Sequence, residues 1–381
     1  MQNLADFAKQ AAERVEAVEG EDAEARAALG FLAKEGLLSH TVPARWGGAK
    51  RAGVADDQVS VRSLCEVRQQ LAFASGMLDL MFVEQGLGSY AISLGGQGDW
   101  VQPLLSAVMA GEKIPAFALT EEGAGSDLNA VATEAKPDGS DWVLNGSKTF
   151  ITNAGIADFY TVLVRTGGEV GQRGGLSMFH VPANTPGLSV QRFEVMAPHP
   201  IGEVHFENVR VPGEFLLGDQ GEGLELALAV LGRHRTSVAA AALGFSRRAL
   251  HESLSHLDRR QQFGRPLSAF QGLRFDLAEM DIRLRAGELL VGEAAELLDQ
   301  GQEAGSEVAR AKWFATESAS WICDRAVQHL GGLGVKRGQI VERLFREVRA
   351  LRIYEGTSEV QKLILAKNLI TQHRDGAKNH G

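Results

Sequence analysis

Cysteine is scarce in this sequence, because Cys65 and Cys323 are the only two among 381 residues. Two distant cysteines provide neither the ligand spacing of a metal cluster nor the framework of a disulfide-stabilised fold. This usage is typical of a reducing compartment. We therefore expect a cytoplasmic protein without a metal site.

Long apolar runs and an excess of positive charge are absent as well. No stretch of about 18 uncharged apolar residues occurs, so we expect no membrane span. The N-terminal segment is amphipathic and acidic and lacks the apolar core of a secretory signal. A net charge of −9 argues against a partner that is a nucleic acid or an anionic membrane, although a local basic patch stays open.

The chain is long enough to predict several subdomains, since one hydrophobic core stops growing at about 250–300 residues. Helical periodicity dominates residues 1–113 and returns over residues 217–381. Short apolar runs punctuated by glycine and proline fill residues 114–216 and indicate strands. We expect an α+β protein with an N-terminal helical domain, a middle β-barrel or β-sandwich domain and a C-terminal helical bundle.

Several local patterns make sharper predictions. Gly36 falls where the first strongly patterned helix should end. The dipeptide Asn145-Gly146, between two strand-like flanks, predicts a hairpin turn. Helical spacing predicts two buried stripes, one formed by Ala25, Ala28, Leu29 and Leu32, the other by Val341, Leu344, Phe345, Val348 and Leu351.

A glycine-rich segment, "FALTEEGAGSDLNA", follows a predicted strand and spans residues 117–130. Gly123 and Gly125 would let backbone N–H groups approach an anionic or electron-rich ligand, but an ordinary β-turn explains them equally well. The segment is not the G-x-G-x-x-G fingerprint of a βαβ unit. In "KTFITNAG", Phe150 could offer a flat face and Thr152 a donor to a planar ring, although a strand aromatic is more often core.

The ordered set of motifs carries more information than any one motif. "FALTEEGAGSD", "KTFITNAG", "RRQQFGRPLSAFQ", "QHLGGLG" and "IYEGTSE" occur in this order, after an N-terminal "PARWGG". Together they resemble the acyl-CoA dehydrogenase family of flavoproteins over nearly the whole chain. The resemblance implies a four-helix bundle in the C-terminal domain, FAD as cofactor, an acyl-CoA substrate, an electron-transfer flavoprotein as acceptor and a homotetramer.

The resemblance also assigns roles to individual residues. It places Thr120 at the pyrimidine side of the flavin, Phe150 against the ring, Thr152 at N5 and Ser126 near the FAD phosphates. Arg260 and Phe263 would reach the FAD of a neighbouring subunit. The remaining implied FAD contacts are Phe117, Leu119, Gly125, Ile151, Gln262, Gln271, Gln328, Gly331, Gly332, Thr357 and Glu359. The implied substrate contacts are Ser126, Arg235, Tyr354 and Gly356.

Three positions depart from the family pattern. Glu122 stands where a proline is usual, Phe150 where tryptophan is frequent, and Gln262 where some members have threonine. We expect the first two changes to preserve cofactor binding. The third removes a hydroxyl contact to the pyrophosphate but leaves an amide donor.

Glu355 is the implied catalytic base. Gly356 can adopt the left-handed turn that ends a helix, and Ser358-x-x-Gln361 predicts a capping box at the start of the next one. Glu355 would thus lie on a short rigid corner, where burial should raise its pKa toward ~6–7. The alternative is a solvent-facing acid at a hinge.

Some family branches carry the base on the helix that contains "LAVLGRHRTS". That segment has no carboxylate at the matching place, which leaves Glu355 as the candidate, with Arg235 supporting its loop. His234 in the same segment is more simply structural than an acid or base.

Several functions remain open at this stage. An oxidase, a monooxygenase or an enzyme acting on a carrier-protein thioester could use the same scaffold, and a nucleic-acid-associated flavoprotein is disfavoured by the acidic charge. Met77 and Met81 could line an acyl cavity or belong to the core. The sequence does not indicate the acyl chain.

Overall fold

The computed structural model describes residues 2–378. Within these residues the order is helices, then strands, then helices, which confirms the predicted α+β class. The N-terminal helices are α1 (Gln2–Val15), α2 (Glu21–Lys34), α3 (Val61–Ala74), α4 (Gly76–Gly95) and α5 (Val101–Met109). The C-terminal helices are α6 (Gly223–Arg259), α7 (Gln271–Asp299), α8 (Gly305–Leu330), α9 (Ile340–Leu351) and α10 (Ser358–Lys378).

The predicted helix stripes are buried with one exception. All four residues of the α2 stripe are buried, and Gly36 follows the end of α2 with a left-handed φ of 69°. On α9, Val341, Leu344, Val348 and Leu351 are buried, but Phe345 is 41% exposed, so its predicted burial was wrong. The buried residues follow a 3–4–3 spacing, which places Phe345 at the edge of the apolar stripe.

The middle region forms one eight-stranded sheet. Its strands are β1 (Pro115–Ala118), β2 (Glu134–Asp138), β3 (Asp141–Thr152), β4 (Phe159–Arg165), β5 (Leu176–Pro182), β6 (Leu188–Arg192), β7 (Ile201–Pro212) and β8 (Leu216–Leu217). The order is β6-β7-β3-β2-β4-β5-β8, and β1 pairs with β4 in parallel. Apolar side chains from six of these strands form its core, among them Leu144, Val162, Phe179, Val204 and Val211.

The hairpin predicted at Asn145-Gly146 was wrong. Both residues lie inside β3, where the pairing with β7 shifts register between Leu144 and Gly146. Gly146 has a φ of 141°, and a Cβ there would lie 2.6 Å from the Thr133 hydroxyl, so the glycine serves a bulge and a close approach. The actual β2–β3 turn contains Gly139, with a φ of 66°.

Contacts divide the chain into two compact units, each described by itself. One unit, called here the β unit, comprises Asp6–Ser60 and Met77–His234 and contains the sheet. The other, the helical unit, consists mainly of Val61–Gly76 and the chain from Arg235 onward. Its core joins α3, α6, α7, α8 and α9. The three-domain division at residues 113 and 216 stays a prediction.

None of the helices in residues 2–378 is long and apolar enough to cross a membrane.

Candidate functional site

The glycine-rich turn after β1 is open on its outer side. An added Cβ at Gly123 or Gly125 would meet no heavy atom within 4 Å, so a ligand could approach the backbone there. Ser126 and Gly125 are exposed, while Thr120 is half-buried and its carbonyl accepts a bond from the Thr149 N–H at 2.9 Å. This bond joins the turn to β3. Of the other two predicted contacts here, Phe117 is half-buried and Leu119 is buried.

A buried ion pair fixes this turn from inside. The Lys148 Nζ donates to Glu121 Oε1 at 2.7 Å and to the Leu119 carbonyl at 3.0 Å, and its side chain is fully buried. The Glu121 carboxylate also accepts from the N–H groups of Ala132 and Thr133, at 2.7 and 3.0 Å. The pair thus holds the backbone on both sides of Thr120. The sequence reasoning missed it, although the lysine in an otherwise apolar-periodic strand was a signal.

The pKa values of the pair follow from its burial. Burial alone would raise the pKa of Glu121, but the Lys148 ammonium and the bonds from Thr133 and Ala132 outweigh it, so that pKa is lowered. Burial lowers the pKa of Lys148 to about 8, against the opposing effect of Glu121. Both groups are therefore charged at neutral pH.

The end of β3 presents an aromatic face. Phe150 has a left-handed φ of 56° and is 62% exposed, and its ring meets Phe193 edge-on at 5.2 Å between centroids. Ile151 is buried beneath, and Thr152 is half-buried on the outer side. Asn153 also has a left-handed φ and donates to the Pro115 carbonyl at 3.0 Å, which ties this strand end to β1.

This set of groups fits a flavin. An exposed aromatic side chain in a strained backbone, two half-buried threonines and an open glycine turn lie on the ends of two joined strands. A planar ring can stack on such a face, and hydroxyl and N–H donors can bind its polar edge. The exposure of Phe150 excludes the core interpretation, because a core aromatic would be covered, and its contact with a cofactor stays a prediction.

A second group of the predicted FAD contacts lies at a short hairpin after α6. The strands β9 (Gln261–Gln262) and β10 (Arg265–Pro266) flank Phe263 and Gly264, whose φ values are 52° and 74°. Phe263 is 91% exposed, and Arg260, Gln262 and Gln271 are exposed as well. Arg265 lies over the Phe270 ring at 4.1 Å and steadies the hairpin. Its tip therefore projects an aromatic side chain outward.

The end of α8 carries the third group of predicted FAD contacts. Gln328, Gly331 and Gly332 are exposed where α8 gives way to a short 3-10 turn. Gly331 has φ 59° and ψ −131°, a conformation that is accessible chiefly to glycine. His329 is buried between these residues, with its Nε2 3.2 Å from Asp276 Oδ2 on α7. The exposed backbone of this turn can contact a ligand.

The corner that carries Glu355, defined as residues 354–356, lies between α9 and α10 in the helical unit. Glu355 has a φ of 52° and Gly356 a φ of 93°, so both residues are left-handed. Such a backbone is costly for a glutamate and persists only where surrounding contacts impose it. Tyr354 is 39% exposed, whereas Glu355 is half-buried. The rigid corner predicted from the sequence is therefore present.

The predicted capping box at Ser358 and Gln361 was wrong. The residue that caps α10 is Thr357, whose hydroxyl accepts from the Val360 N–H at 3.3 Å. The Ser358 hydroxyl instead donates to Glu317 Oε1, and the Gln361 amide donates to the Gly356 carbonyl at 2.9 Å. The helix starts at Ser358, one residue earlier than the box requires, because the hydroxyl of Thr357 reaches a free N–H group of the first turn.

The carbonyls of this corner are held by two cationic side chains. Arg235 Nε on α6 donates to the Glu355 carbonyl at 2.7 Å. Lys312 Nζ on α8 donates to the carbonyls of Tyr354 and Gly356, at 3.0 and 2.7 Å. Burial lowers the pKa of Arg235, and the Glu355 charge opposes the shift. The sequence analysis predicted Arg235 here but missed Lys312.

The structure thus collects the predicted residues in separate places. Arg235, Tyr354, Glu355, Gly356 and Thr357 meet at one corner of the helical unit, and Glu359 is exposed in the first turn of α10. The residues of the glycine turn and the end of β3 meet in the β unit. His234 is fully buried, with its ring edge-on to Tyr90, which agrees with a structural role. No cluster of metal-ligating side chains occurs in the described part of the chain.

Comparison with known proteins gives the family. The acyl-CoA dehydrogenase middle-domain model matches residues 116–209, and the C-terminal-domain model matches residues 221–370. An acyl-CoA dehydrogenase of Bacillus subtilis is 37% identical over 342 residues, which are 89% of this chain and 88% of that protein. A 3-(aryl)acrylate reductase of Clostridium sporogenes is 38% identical over 343 residues, 89% of each chain.

A solved structure agrees with these relatives. The butyryl-CoA dehydrogenase of Megasphaera elsdenii superposes with a TM-score of 0.87 at 30% identity, and the match covers 97% of each chain. The chain therefore belongs to the acyl-CoA dehydrogenase family of flavoproteins. It is an oxidoreductase of the class that dehydrogenates acyl-CoA substrates, and its fold is the fold of that family.

Proposed function

We infer that this protein removes the α-proton and a β-hydride from an acyl-CoA thioester, giving the trans-2-enoyl-CoA, with Glu355 as the base. The observation that carries this inference is the corner of residues 354–356. There a glutamate is kept in a left-handed backbone while Arg235 and Lys312 bind the carbonyls around it. A solvated hinge acid would need no such support.

The corner can supply both groups that the proton transfer needs. The α-proton of a thioester is weakly acidic, so its removal requires a base within about 3 Å and donors to the oxygen on which charge develops. The carboxylate of Glu355 would accept the proton. The main-chain N–H of the same residue would donate to the thioester oxygen. Because the backbone of the corner is held by Arg235 and Lys312, the direction of this N–H is set before substrate binds.

FAD is the proposed cofactor, and when bound it would supply the acceptor for the β-hydride. Phe150 would contact its ring, while Thr120 and Thr152 would bind the polar edge. The exposed backbone at Gly125 and Ser126 suits the phosphates, and Thr357 is proposed as a further contact. Arg260, Gln271, Gln328 and the glycines at 331 and 332 are proposed for the remainder of FAD.

A homotetramer and an electron-transfer flavoprotein as electron acceptor complete the proposal. Phe263 lies at the tip of a hairpin and is 91% exposed. So large an exposed aromatic surface supports contact with a second copy of the chain. An oxidase or an enzyme of carrier-protein thioesters remains the alternative on the same scaffold.

Anaerobic mixing of the FAD-loaded protein with acyl-CoAs of different length and branching, aryl-propionyl-CoA included, tests this function. We expect at least one thioester to bleach the flavin absorbance and to yield the enoyl product. Because one relative is named as a reductase, the reverse reaction is measured with the enoyl-CoA and reduced protein. Peroxide formation in air separates an oxidase from a dehydrogenase. Failure of every thioester to bleach bound FAD would overturn the proposal.

A further inference from the structure

Lys312 is a buried cation whose hydrogen bonds go to main-chain carbonyls. It lies on α8, its side chain is fully buried, and its neighbours Ala309, Ala311 and Ala315 are buried and apolar. Nζ reaches the carbonyls of Tyr354 and Gly356, the two residues that flank Glu355. Burying a lysine is unfavourable unless its charge and donors are used.

The bond to Tyr354 also fixes a donor. The carbonyl of Tyr354 and the N–H of Glu355 belong to one trans peptide, in which the C=O and N–H vectors point in opposite directions. Holding the carbonyl at 3.0 Å from Lys312 therefore directs the Glu355 N–H away from α8. The same reasoning links the Gly356 carbonyl to the N–H of Thr357. Lys312 thus sets the outer two of three successive peptide planes, and Arg235 sets the plane between them.

Lys312 also adds positive charge close to the carboxylate of Glu355. Burial lowers the pKa of Lys312 to about 8, and Glu355 is the largest influence in the opposite direction. Arg235 on α6 adds to the lowering, while Glu317 on α8 and Glu359 on α10 oppose it by smaller amounts. At pH 7 the side chain is therefore mostly an ammonium ion. The interaction is mutual, so the ammonium favours the ionised form of the Glu355 carboxylate.

We propose that Lys312 is a positioning residue for the base: its bond to the Tyr354 carbonyl aims the Glu355 N–H, and its charge keeps the Glu355 carboxylate ionised. The proposal deepens, and rests on, the proposed role of Glu355. It adds a third element, α8, to the support that α6 gives through Arg235. It also explains why a lysine occupies a position in α8 whose neighbours are alanines.

The test compares three variants of the FAD-loaded protein. Lys312→Met keeps the length of the side chain but removes charge and donors, Lys312→Gln keeps donors without charge, and Lys362→Met is the control. Lys362 is an exposed lysine on α10 whose Nζ lies 5.4 Å from the ring of Trp313, the neighbour of Lys312. FAD content and melting temperature are measured for each, so that loss of folding is recognised.

Two readouts address the base directly. The first is the pH profile of anaerobic flavin reduction by the best acyl-CoA. The second is the exchange of the α-proton with deuterated solvent in 3,3-dimethylbutyryl-CoA, which has no β-hydrogen and so reports proton removal without hydride transfer. A role in the fold alone would change the fraction of active protein but neither the profile nor the exchange rate per bound FAD.

For Lys312→Met we expect the rate of α-proton exchange per bound FAD to fall about 10–100-fold. This loss is smaller than that for deleting an oxyanion donor outright, because the N–H of Glu355 is misdirected but not removed. The acid limb of the pH profile should move up by about one pH unit, which is at the low end of the shift expected when a neighbouring opposite charge is lost. Lys312→Gln should show the same shift of the limb with a smaller loss of rate, and Lys362→Met neither. An unchanged limb and exchange rate in both Lys312 variants would overturn the proposal. Full activity of Glu355→Gln would instead overturn the assignment of the base.

Discussion

Replacing Lys148 by methionine should destabilise the protein far more than a surface change of the same kind. Lys148 and Glu121 form an ion pair with 0% and 9% of their side chains exposed, and the N···O distance is 2.7 Å. Removing one member of a buried pair costs about 3–5 kcal/mol, since it leaves a buried charge without its counterion. Glu121 would still accept two backbone N–H groups, so we expect the lower end, about 3 kcal/mol.

The neighbouring strand offers a matched control. Lys136 and Glu134 on β2 form a pair at 2.8 Å, but their side chains are 70% and 45% exposed. Lys136→Met should therefore cost at most about 1 kcal/mol. The free energies of unfolding of both variants are measured in urea at pH 7. If the two substitutions cost the same, burial does not set the strength of this pair and the reasoning is wrong.

The pH dependence of the Lys148→Met penalty has a definite sign. The pKa of Glu121 is lowered in the folded protein, so on the acid side the stability that the pair contributes is fully present above the ordinary glutamate value of about 4.3, as long as Lys148, whose pKa is about 8, stays charged. It is lost as the pH falls through the lowered pKa. We expect the difference between wild type and Lys148→Met to shrink in that acidic range, as urea titrations at several pH values would show.

Three glycine substitutions make further predictions. Gly88→Ala would place a Cβ 2.5 Å from the Pro115 Cβ, so we expect overpacking to lower the free energy of unfolding by about 1–3 kcal/mol. Gly30→Ala has open space in α2 and should raise the free energy of unfolding by about 0.5–1 kcal/mol. Equal melting temperatures for the two variants would contradict this prediction. Gly356→Ala would force a left-handed alanine whose Cβ lies 2.7 Å from the Gln361 amide. We therefore expect the protein to be destabilised by about 1–2 kcal/mol and to reduce its flavin more slowly. A wild-type melting temperature together with a wild-type rate of flavin reduction would refute this prediction.

Features coded by neighbouring residues were predictable from the sequence. The α2 stripe is buried because its spacing matches one turn of a helix, and Gly36 ends the helix because glycine accepts a left-handed backbone. The corner at Glu355 was predicted for a similar reason, since it needs only a helix end, a glycine and a new helix start. In each case the determining groups lie within a few positions along the chain.

Features that depend on distant partners were not predictable in this way. Asn145-Gly146 has the composition of a hairpin turn, but both residues lie inside β3 at a register shift against β7. Thr133 packs directly against Gly146 there. The sequence does not show which groups Lys148 and Lys312 bind, and only the fold brings them to Glu121 and to the carbonyl of Tyr354. Phe345 was assigned to the core because periodicity does not tell the centre of a stripe from its edge.

Flavin reduction by the Glu355→Gln variant tests whether Glu355 is the base. Glutamine keeps the size and the main-chain N–H of Glu355 but cannot accept the α-proton. We expect this variant to retain FAD and to bind acyl-CoA, while the rate of anaerobic bleaching falls about 10²–10⁴-fold. Glu342→Gln on α9, outside the corner, should keep the wild-type rate. Bleaching of Glu355→Gln at the wild-type rate would contradict the assignment of Glu355 as the base.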